Sequence, residues 1–309
     1  MKCSVVVPYA NTGEQTHKLL RSLEKQTYDK NKFEVIVINN GEADDLDKYI
    51  EKEHFTICIK YFHCTQRGRA VARNYGIQKA SGELIIFVDG DEIVPNDFVK
   101  NYWDRYKEAN HPILQFGLKK QLFPDGQEQY NDKKELLQNG KRYALQHASQ
   151  YGVKEIEGSY YIKDVRHQML EHYQYNFERV RCKMLFTQTS NLSIPKVCIE
   201  KYGGFDENFI GWGVEDWEFG YRMQKNNIAI VYNPLVEVLH QYHNASYGQK
   251  RFDEWKRNLE YMIGKYQDDF VGKLTVFESF FNSEIRNQIK DKDPTANVWM
   301  TCFYQVEKE

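Results

Sequence analysis

Two aspartates separated by one glycine, Asp89 and Asp91, directly follow an apolar run at residues 84–88. Such a run is typical of a strand buried on both faces, and ligands of α/β sheets collect beyond the carboxyl ends of these strands. Carboxylates suit Mg²⁺ or Mn²⁺, which would neutralise a diphosphate, and Gly90 lets both side chains turn towards one ion. The alternative is a polar turn that only ends the strand, which is the commoner meaning of Asp-Gly.

A second stretch, residues 202–223, combines glycines at 203, 204, 211 and 213 with Trp212, Glu215 and Asp216. The two carboxylates begin a predicted helix whose dipole favours negative charge, so we expect Asp216 to stay ionised and to accept a proton. Trp212 offers a flat apolar face beside them, as binding a sugar and deprotonating one of its hydroxyls requires. The alternative, a helix capped by Asp216 after a glycine-rich turn, leaves Trp212 among glycines unexplained.

Two further stretches carry residue types that bind metals or phosphates. His240 follows a predicted strand at 236–239 and could complete a two-aspartate metal site through neutral imidazole, with His243 as the weaker candidate. A lone histidine is more often a packing or surface residue. Arg67, Arg69 and Arg73 lie at a loop-to-helix junction, where guanidinium and amide groups attract phosphate oxygens, although such a helix is usually only solvated.

Composition limits the class of protein. With 309 residues, of which 41% are hydrophobic, the chain can bury one substantial core, alone or with a smaller appended unit. A net charge of -2 gives no basic field, so nucleic acid is not an expected partner. No apolar run approaches the roughly 20 residues of a membrane span, and the amino terminus lacks a signal-peptide layout, so we expect a cytoplasmic protein. The six cysteines lack metal-site spacing, and most of them are expected to be buried free thiols.

The elements that position these residues alternate between strands and helices. Strands are predicted at 3–11, where Pro8 closes the apolar run, and at 33–40, 57–62 and 84–88. Helices are predicted at 16–26, 46–53 and 68–82. This βαβαβαβ order predicts an α/β fold with a mainly parallel sheet. A helix at 96–109, a strand at 113–123 and a hairpin turn at 124–126 follow.

The second half is less regular. Up to residue 181 the pattern of strands and helices weakens, because charged helical pieces alternate with tyrosines. This region is interpreted as an insertion. A strand at 183–196, a helix to 202 and strands at 228–232 and 236–239 precede an amphipathic, aromatic tail from residue 249. The tail could rest on a membrane surface, but such a helix more often packs on its own domain or on a second subunit.

Together, these stretches resemble an inverting glycosyltransferase of family 2 with the GT-A fold, and the GGFDE and GWGVED motifs resemble a galactosyltransferase-like carboxy-terminal module. The resemblance covers about residues 2–243, without the insertion and the tail. It implies a GT-A domain at 1–245, divided into a nucleotide-sugar-binding half (1–123), a variable insertion (124–181) and an acceptor and catalytic half (182–245). Residues 246–309 form a carboxy-terminal helical extension.

By position, the resemblance assigns roles to the residues above. Asp89 and Asp91 would bind Mn²⁺ or Mg²⁺, with His240 as third ligand. Asp216 would be the catalytic base. Trp212 and Glu215 would contact the acceptor. The residues implied for the nucleotide-sugar are Pro8, Tyr9, Asn11, Asn40, Arg67, Asp89 and Gly90.

Two departures from the family pattern bear on specificity. The chain has Asn39 and Asn40 where the family commonly has an aspartate, which puts uracil contacts there in doubt. Val214 replaces the frequent glycine of GWGGED, which would narrow the acceptor pocket.

The function implied is metal-dependent transfer, with inversion, of a hexose or N-acetylhexosamine from a UDP-sugar to a hydroxyl of a glycan or lipid-linked oligosaccharide, as in polysaccharide biosynthesis. A peptide or protein acceptor is the alternative. A nucleotidyltransferase would need a glycine-rich triphosphate loop that the first strand lacks, and a silent sugar-binding module would need neither acidic motif. A homo-oligomer and peripheral contact with the inner face of a membrane are further expectations.

Overall fold

The computed structural model describes residues 1–42, 44–123, 141–243, 248–293 and 297–308. A seven-stranded sheet has the order β11-β6-β10-β4-β1-β2-β3. Its strands are β1 (Cys3–Tyr9), β2 (Phe33–Asn39), β3 (Cys58–His63), β4 (Leu84–Val88), β6 (Ile113–Phe116), β10 (Asn191–Pro195) and β11 (Ala229–Tyr232).

A second sheet of five strands has the order β5-β12-β7-β9-β8. Its strands are β5 (Glu92–Ile93), β7 (Lys119–Phe123), β8 (Tyr143–Ala144), β9 (Tyr160–Lys163) and β12 (Val238–Gln241). The helices among the described residues are α1 (Gly13–Glu24), α2 (Leu46–Glu53), α3 (Arg69–Lys79), α4 (Phe98–Glu108), α5 (Val165–His172), α6 (Lys196–Tyr202), α7 (Glu215–Lys225), α8 (Gln249–Tyr266), α9 (Asp269–Gly272), α10 (Glu278–Phe281), α11 (Ser283–Lys292) and α12 (Val298–Glu307).

The centre of the large sheet is parallel, as expected. Strand β1 pairs in parallel with β2 and with β4, and every residue of β2 and β4 is buried because helices cover both faces of the sheet. Among the described strands of this sheet, only β10 runs antiparallel to its neighbours. The carboxyl ends of β1, β2 and β4 therefore meet at one edge, where the Asp-Gly-Asp stretch begins.

Residues 183–196 do not form the single strand that the sequence predicts. Lys183–Phe186 is a 3-10 helix, and only Asn191–Pro195 is a strand. Met184, Leu185 and Phe186 are all buried in succession, and the Thr187 hydroxyl closes the turn by donating to the Met184 carbonyl at 2.7 Å. An apolar run whose members are all buried does not distinguish a strand from a helical turn.

The strand expected over 113–123 is also interrupted, and its halves lie in different sheets. The break is at Gly117, where a Cβ atom would be 2.3 Å from Asn191 Nδ2 and 2.6 Å from the Val236 carbonyl oxygen. Only glycine allows so close an approach. The predicted hairpin turn at 124–126 lies outside the described residues.

Strand β12 begins two residues later than predicted. A 3-10 turn at Pro234–Val236 precedes it, and Asn233 caps this turn because its Oδ1 accepts from the Leu235 amide at 3.1 Å. His240 consequently lies inside the strand instead of after it.

The carboxy-terminal tail packs on its own domain, which is one of the two outcomes expected for an amphipathic segment. Trp255, Leu259, Met262 and Phe277 are buried in the same apolar cluster as Phe219 of α7. Among the helices of the described segments, none is both long and apolar enough to cross a membrane. All six cysteines are free, and five of them are buried, as expected.

Candidate active site

Gly90 brings the end of β4 onto the end of β1. Its amide donates to the Pro8 carbonyl at 3.2 Å, and a Cβ atom here would be 2.6 Å from Tyr9 Cβ and 2.5 Å from Thr16 Oγ1. The glycine is therefore required by close approach, in addition to the turning freedom that the sequence suggests.

Asp91, His240 and His243 form a cluster in which one potential ligand atom from each lies within 4.8 Å of the others. His243 Nε2 is 2.8 Å from Asp91 Oδ2, and His240 Nδ1 is 3.4 Å from Asp91 Oδ1. Strand pairing sets this geometry, because His240 lies opposite Glu92 in the β12–β5 pair and the Gln241 amide donates to the Asp91 carbonyl at 2.8 Å. His243, which the sequence ranks below His240, is therefore part of the cluster as well.

The electrostatics of the cluster suit a divalent cation. Asp91 Oδ1 and His240 Nδ1 are buried and form no hydrogen bond of good geometry with the described residues. Burial acts to lower the pKa of His240, but the Asp91 and Glu92 carboxylates outweigh it and raise that pKa to about 9. Burial likewise opposes ionisation of Asp91, yet the two histidines hold its pKa well below the usual range. Two imidazoles and a carboxylate, with Asp91 Oδ1 and His240 Nδ1 lacking a hydrogen bond among the described residues, are a donor set that can hold a divalent metal ion.

Asp89 is not part of this cluster and instead contacts a buried arginine. Its Oδ1 lies 3.4 Å from Arg73 Nη2, and its side chain is partly exposed. The two aspartates that the sequence assigns to one ion therefore have different partners in the structure. Metal binding by Asp89 stays a prediction.

Arg73 joins the Asp-Gly-Asp stretch to the start of helix α7. Its Nη1 lies 3.0 Å from Glu215 Oε1, and both side chains are only 5% exposed. Burial acts to lower the pKa of Arg73, but Asp89, Glu215 and Asp216 raise it. Sequence reasoning treats this arginine as a phosphate contact, whereas the structure places it in an internal ion pair.

Asp216 is the second residue of α7, so the capped-helix interpretation is wrong in detail, since Val214 occupies the N-cap position. Asp216 Oδ1 accepts from the Trp217 amide at 2.9 Å. Burial, and then the neighbouring Glu215 carboxylate, raise the pKa of Asp216 to about 7, although Arg73 opposes the shift. The helix dipole alone predicts an ordinary acidic pKa, and burial outweighs it.

The two neighbours assigned to the acceptor differ in exposure. Glu215 is turned into the Arg73 ion pair. Trp212 is partly exposed, and its ring packs edge-on against Phe281 at 5.4 Å, with the Arg251 guanidinium 5.7 Å from the ring centre. Trp212 is therefore the one with surface available, and both roles stay predictions.

The predicted nucleoside-binding residues lie close together at the ends of β1 and β2. Asn11 Oδ1 accepts from the Glu42 amide at 2.9 Å, and Asn40 Oδ1 accepts from the Gly68 amide at 2.9 Å. Exposed Arg67 donates to the Asn40 carbonyl at 2.5 Å and pairs with Glu42 at 3.0 Å. These bonds tie three chain segments into one rim.

Tyr9 is buried beside this rim, and its hydroxyl donates to Asp44 Oδ1 at 2.9 Å. Burial and hydrogen bonds to Tyr61 and Asp44 raise the pKa of Tyr9. Sequence reasoning missed Asp44, and also Glu92, which lies beside His240. The only available signal for Asp44 is an acidic residue in the loop after β2.

Two family models match the chain. One described as "Glycosyl transferase family 2" matches residues 4–162, and one described as "Glycosyltransferase like family 2" matches residues 143–300. An uncharacterized glycosyltransferase, YfnE of Bacillus subtilis, is 24% identical over 94% of this chain and 77% of its own length. A validoxylamine A glucosyltransferase of Streptomyces hygroscopicus subsp. jinggangensis is 27% identical over 74% of this chain, which covers about half (52%) of that relative.

Solved structures share the fold. Staphylococcus aureus TarS 1-349 in complex with UDP-GlcNAc has a TM-score of 0.58 at 16% identity, covering 100% of this chain and 82% of that one. The mannosyltransferase PcManGT from Pyrobaculum calidifontis, in complex with GDP-Man and Mn²⁺, has a TM-score of 0.58 at 14% identity, covering 99% and 84%. The fold is thus GT-A, and the two family matches establish that the chain belongs to glycosyl transferase family 2.

Proposed function

We propose that this glycosyltransferase uses a divalent cation and transfers, with inversion, a hexose or N-acetylhexosamine from a UDP-sugar to a hydroxyl of a glycan or lipid-linked oligosaccharide. The observation that carries the proposal is the contact of one buried guanidinium, that of Arg73, with both Asp89 and Glu215. The residue after Glu215 is the proposed base, and the cluster of Asp91, His240 and His243 begins two residues after Asp89.

Asp91, His240 and His243 would hold the cation, which would offset the negative charge on the departing diphosphate. Asp89 and Gly90 would lie beside the same nucleotide, and the rim formed by Asn11, Asn40 and Arg67 would border the nucleoside, as the family resemblance implies. Exposed Arg67 can exchange its contact with Glu42 for a nucleotide because its ion pair is solvent-accessible.

Asp216 would act on the acceptor. Its carboxylate takes the hydroxyl proton while the acceptor oxygen forms a bond to the anomeric carbon and the bond from that carbon to the diphosphate oxygen breaks. Because both events occur at opposite faces of one carbon, the anomeric configuration inverts. A pKa near 7 suits a base working near neutral pH. Trp212 would supply a partly exposed aromatic ring for the acceptor sugar.

UDP as the nucleotide is supported by the sequence resemblance and by TarS, whose structure contains UDP-GlcNAc, whereas PcManGT contains GDP-Man. Both donor classes therefore belong in the test. The full-length chain is incubated with Mn²⁺ and, one at a time, UDP-glucose, UDP-galactose, their N-acetylated amines and GDP-mannose, and nucleoside diphosphate release is measured.

We expect release from one or more UDP-sugars, its loss on adding EDTA, and its recovery with excess Mn²⁺. Release from GDP-mannose alone would overturn the choice of nucleotide. Release that persists in EDTA would overturn the metal dependence, and no release from any donor, with and without candidate oligosaccharide acceptors, would count against the whole proposal.

A further inference from the structure

The tail helix α8 lies directly against the loop that precedes the proposed base. Gly211 has a φ of +82°, and a Cβ atom there would be 2.5 Å from Glu254 Cδ. Gly213 has a φ of +89°, and its Cβ atom would be 3.0 Å from Trp255 Cδ1. The two glycines thus serve both the turn and the close approach of the helix.

Side chains of α8 also hold the loop by its backbone. Buried Asn258 donates through Nδ2 to the Gly213 carbonyl at 2.9 Å and to the Trp212 carbonyl at 3.4 Å. Arg257 donates to the Ile210 carbonyl. The backbone of residues 210–213 is therefore held in place by hydrogen bonds from a helix that lies 45 to 47 residues further along the sequence.

The tail also packs on the other side of Asp216. The ring of Trp217 lies 5.6 Å from Phe277, 6.4 Å from Trp299 and 6.5 Å from Trp255, all of which belong to the tail. The Trp217 amide is the group that donates to the Asp216 carboxylate. Residues of the tail therefore contact the chain immediately before and immediately after the carboxylate pair.

We propose that Asn258 is a positioning residue for the acceptor side of the site: by fixing the carbonyls of Trp212 and Gly213, it sets the direction of the Trp212 ring and the start of the helix that carries Asp216. This inference rests on the proposed function, since it assigns Trp212 and Asp216 to the acceptor. It gives the tail a role in acceptor use that is separate from donor binding at the ends of β1, β2 and β4.

A purely structural role for Asn258 makes a different prediction. If the side chain only satisfied two buried carbonyls, its loss would lower stability and affect donor and acceptor steps alike. Positioning predicts a selective effect, because the donor residues lie on other elements.

The test compares wild type with Asn258→Asp, which keeps the shape but removes the donor, and with Asn258→Ala, which avoids the added charge if the first variant does not fold. Met262→Ala is the matched control, because Met262 is fully buried one turn further along the same helix. Three quantities are measured: amide hydrogen exchange at residues 211–214, the affinity for UDP with Mn²⁺, and the kcat and KM for the acceptor.

We expect both Asn258 variants to raise exchange at 211–214 and the acceptor KM by about tenfold or more, with UDP affinity within twofold of wild type. Met262→Ala should lower the melting temperature and leave exchange at 211–214 and the acceptor KM unchanged. Unchanged exchange, or equal losses in UDP affinity and acceptor use, would overturn the positioning role. If wild type transfers no sugar to any acceptor, the proposed function fails, and the exchange measurement still reports whether Asn258 holds the loop.

Discussion

Arg73 and Glu215, 142 positions apart in sequence, form a buried ion pair with 3.0 Å between Nη1 and Oε1. The pair joins α3, which precedes the Asp-Gly-Asp strand, to α7, which begins with the proposed acceptor carboxylates. Because Arg73 also contacts Asp89, it links the donor side of the site to the acceptor side.

Breaking this pair should be costly. Arg73→Gln leaves Glu215 buried without its partner and should lower the free energy of unfolding by about 3–5 kcal/mol. Adding Glu215→Gln should restore part of that loss. The free energy of unfolding of the double variant should therefore exceed the value obtained by adding the two single losses by about 0.5–3 kcal/mol. Urea denaturation measures both. Arg69→Gln, at an exposed position of the same helix, is the control and should stay within about 0.5 kcal/mol. Strict additivity would show that the two side chains are not coupled.

The transfer rate should depend on the ionisation of Asp216. Its pKa is raised to about 7, and a base acts only when ionised, so kcat should fall about tenfold per pH unit below that value and level off above it. Glu215→Gln removes the negative neighbour and should move the inflection to lower pH. Initial rates between pH 5 and 9 test both statements. An inflection near 4, or one that Glu215→Gln moves upwards, would contradict this assignment.

Metal binding should depend on the Asp91, His240 and His243 cluster. Asp91→Asn and His243→Ala should each weaken Mn²⁺ binding in the presence of UDP by at least about tenfold, which is the loss that removal even of an outer-shell partner causes. Titration calorimetry gives the affinities. His111→Ala, at an exposed histidine, should leave them unchanged. Wild-type affinity in both cluster variants would exclude these residues as ligands.

Val214 holds a conformation that favours glycine. It is buried and has a φ of +75°, a region that costs a β-branched residue about 1–3 kcal/mol. Val214→Gly relieves this strain while Val214→Ala keeps much of it, so the glycine variant should be no less stable than the alanine variant. Urea denaturation compares them, with the same substitutions at buried Val99 in α4 as controls, where glycine should be the worse by about 0.5–1 kcal/mol. If Val214→Gly is also less stable than Val214→Ala by about 0.5–1 kcal/mol, the backbone of Val214 is not strained.

The sequence predicts the sheet centre well because β1, β2 and β4 are short apolar runs rich in valine and isoleucine between turn signals, a composition that favours strands. It fails at residues 183–196, where consecutive buried apolar residues suit a helical turn as well as a strand. Contacts between distant segments are harder to predict: the sequence groups His240 with Asp91, but not Arg73 with Glu215. The ion pair of Arg73 with Glu215, and the place of Asp89 beside Arg73, depend on how α3, α7 and the end of β4 come together in the fold.

His243 illustrates the same limit within the site. Its place beside Asp91 follows from the register of β12 against β5, which no single stretch of sequence contains. The strands and helices can be predicted from the periodicity of apolar residues, whereas the set of candidate ligands can be known only from how the strands pair.

The most direct test of the account is Asp216→Asn, assayed for UDP binding and for sugar transfer in the same preparation. The account predicts UDP affinity with Mn²⁺ within twofold of wild type, because the donor residues lie on other elements, and a loss of transfer of about 10²–10⁴-fold, the contribution typical of a general base. An Asp216→Asn enzyme that transfers sugar at the wild-type rate would contradict the central claim that this carboxylate takes the acceptor proton.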